Sequence, residues 1–507
     1  MPDIKAEGGG PARLDAPLLT LVGVMVLGGM MSYLDATIVN VGISTLGGEL
    51  HATLATIEWV TTGYLLAVAL AIPVAGWAVV RFGAKRVWLL GLSVFLIGSA
   101  LCALARNAES LIAFRVVQGL GGGMVDPVMM TVVAGAAGPA RIGRVMGLVS
   151  VPITLGPVVG PVIGGLLLDN FSWEWMFLVN IPFALAAIVL AVRVLPADPP
   201  PSGDRVPIDA LGVALLSPGF AALVYALSRA GGDGFGSTGV IAGLSVGIAL
   251  FAAYAVHALR TKATPLLDLR LFAHRGFGAS VATMFLLGGG LFSLLFLLPL
   301  YYQRVHGHGV LASGLLLAPL GLGTLIGMPV AGSLADRAGA RRLVPVGALL
   351  IGAGALVFTQ SGPGTSQIAL TAAQFAAGLG MGLVGAPTMG SVYRTVPGGA
   401  VAGATGAVFI LNQIGASLGI AVVALILQGG GAHAAPTPGS YRDAFWWPVA
   451  AAVVVFAAGL LLPGRPRPEP DTPEAAGAKA EGGGEGGDAT SGGGVGTPET
   501  RPVTDRA

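Results

Sequence analysis

Residues 76–86 read Gly-Trp-Ala-Val-Val-Arg-Phe-Gly-Ala-Lys-Arg, and residues 332–342 read Gly-Ser-Leu-Ala-Asp-Arg-Ala-Gly-Ala-Arg-Arg. Each stretch closes a long apolar run, passes a glycine that permits a tight turn, and ends on paired basic residues. A weaker echo joins 119–123 (Gly-Leu-Gly-Gly-Gly) to 378–382 (Gly-Leu-Gly-Met-Gly). Matching marks in the same order imply two copies of one unit, running in the same direction.

Outward from these marks lie fourteen apolar runs: 18–40, 56–80, 87–105, 110–134, 145–167, 175–195, 209–228, 238–257, 277–302, 311–335, 343–360, 367–391, 400–428 and 443–463. A membrane-spanning helix needs about 20 mainly apolar residues. The composition agrees: 54% of residues are hydrophobic and 10% charged, against about 25% charged in soluble domains, and the mean hydropathy is +0.81. The 81 glycines fit as well, since glycine is frequent in membrane helices. The expected fold is an all-α polytopic membrane protein with 14 transmembrane helices. Runs one to six and nine to fourteen form two six-helix halves, and runs seven and eight an inserted hairpin. The expected segments are a tail over 1–17, a first half over 18–195, a linker with two extra helices over 196–262, a second half over 263–463, and a disordered tail over 464–507. Parallel six-helix repeats are a transporter plan.

With the N-terminus inside, fifteen Lys and Arg fall in inner loops and only Arg106, Arg229, Arg304 and Arg442 in outer ones. That is the positive-inside pattern, and it predicts a multi-pass protein of the cell membrane (plasma or inner) with both termini cytoplasmic. No cleavable signal peptide is visible, because the first apolar run is long enough to span. Trp173, Trp175, Tyr301, Tyr302, Trp446 and Trp447 fall at run ends, as headgroup anchors would. The single cysteine, Cys102, excludes an intramolecular disulfide and reads as a small buried hydrophobe. The six histidines lie in loops or at helix ends without metal spacing, so no metal site is expected.

Ionisable groups inside hydrocarbon are costly and usually face a partner or a cavity. Asp35, Arg115 and Asp126 fall well within the runs, and Glu58 at the mouth of the second. Asp209 and Asp443 fall at helix starts, where an acid suits the dipole. Asp35 and Arg115 lie at similar depth near the outer ends of runs one and four, so they can pair across the bundle. Arg does not deprotonate, so a proton carrier must be an acid. Asp35 reads as a proton or substrate-cation site, or else as a structural partner of Arg115. Asp126 lies eleven residues beyond Arg115, within about 20° of the same helix face and about 16 Å deeper. It shares any cavity that Arg115 faces. It reads as a second protonation or cation site, or as a neutral acid bonded to a neighbouring helix. Pro127 beside it is expected to bend that helix. Gln118, Asn40, Asn412 and Gln413 are polar candidates for a cavity wall or for bonds between helices. In run five Gly156, Gly160 and Gly164 recur every fourth residue, a stripe for close helix packing.

Several motifs stand in a family order. Leu34-Asp35-Ala-Thr37-Ile-Val-Asn40 ends run one. Gly76, Arg81, Gly83 and Arg86 mark the first loop, and Arg115-Val-Val-Gln118-Gly119 opens run four. Gly156-Pro157-Val-Val-Gly160-Pro161-Val-Ile-Gly164-Gly165 fills run five, Trp173-Glu-Trp-Met-Phe-Leu-Val-Asn180-Ile-Pro182 opens run six, and Pro265-Leu-Leu-Asp268 precedes run nine. Over residues 18–463 the chain resembles the major facilitator superfamily, specifically its fourteen-helix drug:proton antiporters of the QacA/EmrB type. The resemblance implies proton-driven export of small lipophilic compounds such as antibiotics, dyes or biocides, with drug resistance as the consequence. It implies a coupling role for Arg115 and an antiporter motif in Gly156, Pro157, Gly160, Pro161, Gly164 and Gly165. Gly76, Arg81, Gly83, Arg86, Gly332, Asp336, Arg337, Gly339 and Arg341 then read as cytoplasmic gate loops, or as plain topology anchors. Val80 stands where the family usually has an acid, and Asp126 where it usually has an apolar residue.

Proton-coupled uptake of a nutrient on the same scaffold is the alternative. The sequence holds no GxxxxGK[ST] phosphate loop, no HExxH and no sizeable extramembrane domain, which argues against an enzyme or receptor. The expected partners are the bilayer, a small lipophilic substrate and protons. No cofactor beyond the proton gradient, no nucleic acid and no ATPase subunit is called for.

Overall fold

A computed structural model describes residues 15–138, 141–198, 208–261, 265–362, 364–396, 400–427 and 437–464. Both predicted tails, apart from residues 15–17 and 464, lie outside these residues, as do most of the linker, Arg205 and Lys262.

The described chain is helical throughout. In order come α1 (Ala16–Glu49), α2 (Leu54–Phe82), α3 (Ala84–Ala103), α4 (Ala108–Ala137), α5 (Ile142–Asn170), α6 (Trp175–Leu178), α7 (Asn180–Val194), α8 (Ala210–Asp233) and α9 (Thr238–Arg260). Then follow α10 (Arg275–Arg304), α11 (Val310–Leu315), α12 (Ala318–Ala338), α13 (Ala340–Thr359), α14 (Gln367–Thr395), α15 (Val401–Leu427), α16 (Pro438–Ala444) and α17 (Trp446–Gly459). Among the described residues twelve spans are long and apolar enough to cross a membrane. The predicted fifth run folds as α5, many of whose side chains lie outside the described set. The fourteenth is broken at Phe445 into α16 and the 14-residue α17. Breaks also divide the sixth run at Val179 and the tenth at Leu316–Leu317, just before Pro319, whose missing N–H suits a helix start. The first helix is longer than expected: its 34 residues extend about 51 Å, well beyond a hydrocarbon core of about 30 Å.

Packing reproduces the sequence repeat. α1 packs on α5 and α7, and α2 and α3 on α4; α10 packs on α15 and α17, and α12 and α13 on α14. The glycine echo explains the match. A Cβ on Gly119 would press on Tyr64 and Ala67 of α2, one on Gly121 on Phe95 of α3, and one on Gly123 on Val68 of α2. In the second copy Gly378 meets Leu320 of α12, Gly380 meets Gly347 and Ile351 of α13, and Gly382 meets Gly327 of α12. Alternate glycines thus let one central helix approach two neighbours closely, as small residues do in lipid, where no hydrophobic force drives helices together. The two sets touch along α5 with α12 and α2 with α15, and α8 of the hairpin rests on α2 and α15. Leu90, Ile97, Ile248 and Leu349 remain exposed on the outside, as lipid-facing residues do.

The repeated loops turn at Gly83 (φ 93°) and Gly339 (φ 78°), backbone conformations that glycine adopts without strain. Asp198, beyond α7, accepts the N–H groups of Lys85 (2.9 Å) and Arg86 (3.1 Å) at the start of α3. Lys85 Nζ in turn donates to the carbonyls of Val192 and Leu195. Asp15 pairs with Arg141 at 2.6 Å, and the Arg341 N–H reaches the Pro463 carbonyl.

Tyr301 and Tyr302 are not headgroup anchors. Both are fully buried; Tyr301 donates to Ser361 at 2.7 Å, and Tyr302 accepts from Gln374 at 2.7 Å. His306 is likewise more than a solvated loop residue: burial and the neighbouring His308 push its imidazole below the usual range. His257 at the end of α9 bonds Asp209 at 2.8 Å. Asp209 also caps α8 through the Gly212 N–H and holds the Leu266 N–H at 3.2 Å. Tyr254 Oη exchanges hydrogen bonds with both backbone groups of Leu267. Asp443 falls in the last turn of α16 rather than at a helix start.

Candidate functional site

The feature of greatest cost in the structure is an ion pair with no access to water. Asp35 on α1 and Arg115 on α4 are both fully buried and bonded to each other through Oδ2 and an η nitrogen. Isolated, either charge would be untenable there, so their surroundings decide whether the pair survives. The other η-nitrogen bond of Arg115 goes to Gln118 Oε1 at 2.7 Å, and its Nε donates to the Val60 carbonyl at 3.2 Å. Its guanidinium carbon lies 4.0 Å from the centroid of the Tyr64 ring, a cation–π contact. Asp35 Oδ1 accepts from Gln118 Nε2 and from Asn180 Nδ2, each at 2.8 Å. Both amides also donate to Ser99 Oγ, which donates to the Phe177 carbonyl.

Local structure sets each position. Arg115 and Gln118 are three residues apart on one face of α4. The break at Val179 starts α7 at Asn180 and brings that amide to the pair. Ser99 is offered by α3, where Gly98 lets the backbone of Gln118 approach. The cluster therefore binds α1, α2, α3, α4 and α7 into one body. Cys102 is buried beside it, donating weakly to Gln118 Oε1 at 3.6 Å.

Asp126, like Arg115, faces α1. Arg115 is fully enclosed within the first bundle. Asp126 remains half-buried. Its Oδ1 is buried yet accepts no hydrogen bond among the described residues. It lies against Gly29 of α1, within 3.3 Å of where a Cβ would be, and Tyr33 is its neighbour. Pro127 is accommodated inside a continuous α4.

The remaining candidates separate. Gln118 is fully enclosed in the cluster and lines no cavity. Asn40 is exposed and accepts from Thr61 at 3.3 Å. Asn412 ties α15 to the Met284 carbonyl of α10 at 2.8 Å. Gln413 is part-buried, its carbonyl accepting from Ser417. In α5, a Cβ on Gly156 would crowd Tyr33, one on Gly160 would overlap Thr37, and one on Gly164 would come within 3.3 Å of Ile38. Gly165 meets nothing within 4 Å and is outside this seam. The side chains of Pro157, Pro161 and Asp336 lie outside the described residues. Gly76 opposes the Ala402 carbonyl of α15, its added Cβ falling 3.1 Å away. Gly332 is buried; Arg86, Arg337 and Arg341 are exposed, and Arg81 lies over Phe82. Sequence reasoning missed Ser99, Asn180 and Tyr64. Asn180 carried a signal, as the amide within the motif that opens run six.

Among the described residues no three His, Cys, Asp or Glu side chains gather as a metal site. Long apolar helices packed around an enclosed charge cluster are the frame of a polytopic membrane protein. The profile of the Major Facilitator Superfamily matches residues 25–420 and 320–499. A "Multidrug resistance protein B homolog" of Mycobacterium tuberculosis is 39% identical over 420 residues, covering 82% of this chain and 77% of that protein. The multidrug export protein EmrB of Escherichia coli is 32% identical over 330 residues, covering 65% of this chain and 64% of EmrB. The fold is similar to that of the proton:xylose symporter XylE, with a TM-score of 0.61, 15% identity, and coverage of 89% of this chain and 97% of that one. The chain belongs to the major facilitator superfamily, and its relatives include EmrB-type multidrug transporters. It is accordingly a multi-pass membrane protein and not an enzyme.

Proposed function

We propose that the protein is a proton-coupled exporter of small lipophilic compounds, exchanging inward-moving protons for drugs, dyes or biocides. Its relatives named for multidrug resistance and export support this reading. The single observation that carries the mechanism is the contrast between two acids. Asp35 accepts three hydrogen bonds, one from a cation; Asp126 has only the neutral Tyr33 hydroxyl as a side-chain partner, and its Oδ1 accepts no bond among the described residues. Protonating Asp35 would break an ion pair, whereas protonating Asp126 breaks nothing at that oxygen. Asp126 is therefore the acid that exchanges protons, and Asp35 with Arg115 the fixed charge pair that holds the bundle around it.

In this cycle a substrate, neutral or singly charged, meets ionised Asp126 from the cytoplasm. A proton from outside neutralises Asp126, substrate leaves outward, and the proton departs inward. Coupling requires that proton and substrate favour different states of the two halves. The halves are residues 18–195 and 263–463, six helices each, with the α8–α9 hairpin between them. Counting α5 and the α16–α17 pair as crossings gives fourteen. An even number returns the chain to its starting side, with both termini cytoplasmic; the Asp15–Arg141 and Arg341–Pro463 contacts support a common side. Gly76 against Ala402 and the Gly83 and Gly339 turns belong to the inner gate. Gly156, Gly160 and Gly164 seal α5 on α1.

The test is ethidium accumulation in inside-out proteoliposomes under an imposed pH gradient. Asp126→Asn is expected to abolish uphill transport while leaving thermal stability within about 1 kcal/mol. Uphill transport undiminished in Asp126→Asn would remove the mechanism.

A further inference from the structure

The motif Pro265-Leu-Leu-Asp268 has no task in the cycle above. It leads from the hairpin into α10, and its backbone is tied back to the hairpin. The Leu266 N–H donates to Asp209 Oδ2 at 3.2 Å. The Leu267 N–H donates to Tyr254 Oη at 2.6 Å, and that hydroxyl donates to the Leu267 carbonyl at 2.8 Å. Both anchors are themselves fixed. Asp209 Oδ1 accepts the Gly212 N–H at 2.8 Å and bonds His257 Nε2 at 2.8 Å. Tyr254 is buried, one turn before His257 on the same face of α9. Asp268 then ends the segment, its Oδ1 accepting the Arg270 N–H at 3.0 Å as the chain enters a short turn of 3-10 helix, Leu269–Ala273.

The two leucines lie where the halves meet. Both are buried, and they line one crevice with Pro73 and Gly76 of α2, Leu216 of α8, and Ala402 and Gly403 of α15. The Leu266 carbonyl is 3.7 Å from the point a Gly403 Cβ would occupy, and a Cβ on Gly76 would come within 3.1 Å of the Ala402 carbonyl. Along this seam α2 of one half touches α15 of the other, and α8 packs on both. An apolar pair set against both sides of a seam loses contact area when the seam parts, and exposing that area to water is unfavourable. The backbone bonds to the hairpin keep the pair from following either half.

We infer that Leu266 and Leu267 form a bolt across the cytoplasmic end of the α2–α15 seam, held by Asp209 and Tyr254 of the hairpin, and that the bolt must leave one half before the inner side opens. The inference rests on the exporter reading above, which requires an inward-open state, and it gives the inserted hairpin a regulatory part in that cycle. What the hairpin sets is the share of molecules open to the cytoplasm. Removing one hydrogen bond that exists only with the bolt seated raises that share about fivefold.

Two measurements on the reconstituted full chain test the bolt. The single cysteine, Cys102, is buried, so a second cysteine reports alone. With the cytoplasmic face outward, an impermeant maleimide is expected to modify Ala402→Cys about fivefold faster when Tyr254→Phe or Asp209→Asn is added, because each frees a backbone group of the bolt. Modification of the exposed outer position in Asn40→Cys, from the opposite face, should slow in the same backgrounds. Faster labelling at both positions would mean general loosening, and unchanged labelling of Ala402→Cys in both backgrounds would mean that these bonds do not govern opening; either result overturns the bolt. If Asp209→Asn, which also uncaps α8, fails to fold, Tyr254→Phe decides alone. The second measurement ties the bolt to each half with a short, reducible cross-linker, through Leu266→Cys with Gly403→Cys and through Leu267→Cys with Gly76→Cys, and follows ethidium exchange at equal pH. At least one cross-link should stop exchange, with recovery on reduction; full exchange in both cross-linked forms rejects the bolt. A wild type that moves no ethidium would sink the exporter reading, and the labelling rates would still decide the bolt.

Discussion

Aligning 119–123 with 378–382 places Gln374 of α14 where α4 has Arg115, and Gly385 where α4 has Asp126. In the first half that position anchors an ion pair that Gln118, Asn180, Ser99 and the Val60 carbonyl surround; in the second, Gln374 makes a neutral hydrogen bond to Tyr302. The glycine seams around both are alike. A neutral pair is therefore sufficient to hold this central helix among its neighbours. The charges of the first half cost more to bury than the neutral pair of the second, so the two halves hold alike seams with unlike centres.

The comparison breaks most readily at its charged side. Arg115→Ala leaves Asp35 enclosed without a counter-charge and should cost about 3–5 kcal/mol, whereas Gln374→Leu loses one hydrogen bond and should cost about 1 kcal/mol. Thermal unfolding of the two purified variants, side by side, checks the ratio. Equal losses would mean that the two centres do the same structural work. The glycine seams sharpen it next. Gly121→Ala and Gly380→Ala both drive a methyl into a neighbouring backbone, and each should cost about 1–3 kcal/mol, with the two values agreeing. A neutral outcome at one of them would show that the halves pack differently after all. The smallest effect concerns the loops. Asp198→Ala frees two N–H groups at the start of α3 and should cost about 0.5–2 kcal/mol, measurable as a lowered unfolding temperature without loss of the Asp35 cluster.

Much of the helix plan was legible because lipid leaves few choices: apolar length and the charge of loops are written plainly in the chain. Breaks were not. Trp175–Val194 is apolar throughout, and nothing in its hydropathy marks Val179. Depth was legible as well, which is why Asp35 and Arg115 could be matched, but phase around a helix was not enough to say which side faces a cavity. Arg115 and Asp126 share a face of α4; one meets a counter-charge and the other does not, because α1 presents Asp35 at one level and Gly29 at the other. The roles of Tyr301 and Tyr302 were misread for a related reason. An aromatic at the end of a run can anchor a headgroup or close a core, and only its neighbours, here Phe358, Ser361, Gln374 and Phe445, distinguish the two.

The hairpin has a consequence for any attempt to simplify the chain. Asp209 and Tyr254 grip the backbone at Leu266 and Leu267, and those two leucines abut Gly76, Ala402 and Gly403. Excising 208–261 would not yield a leaner twelve-crossing machine. It would cast loose the strand of chain that feeds α10 and leave the seam between α2 and α15 without its stopper, so the surplus pair of helices is better regarded as a mooring than as an ornament.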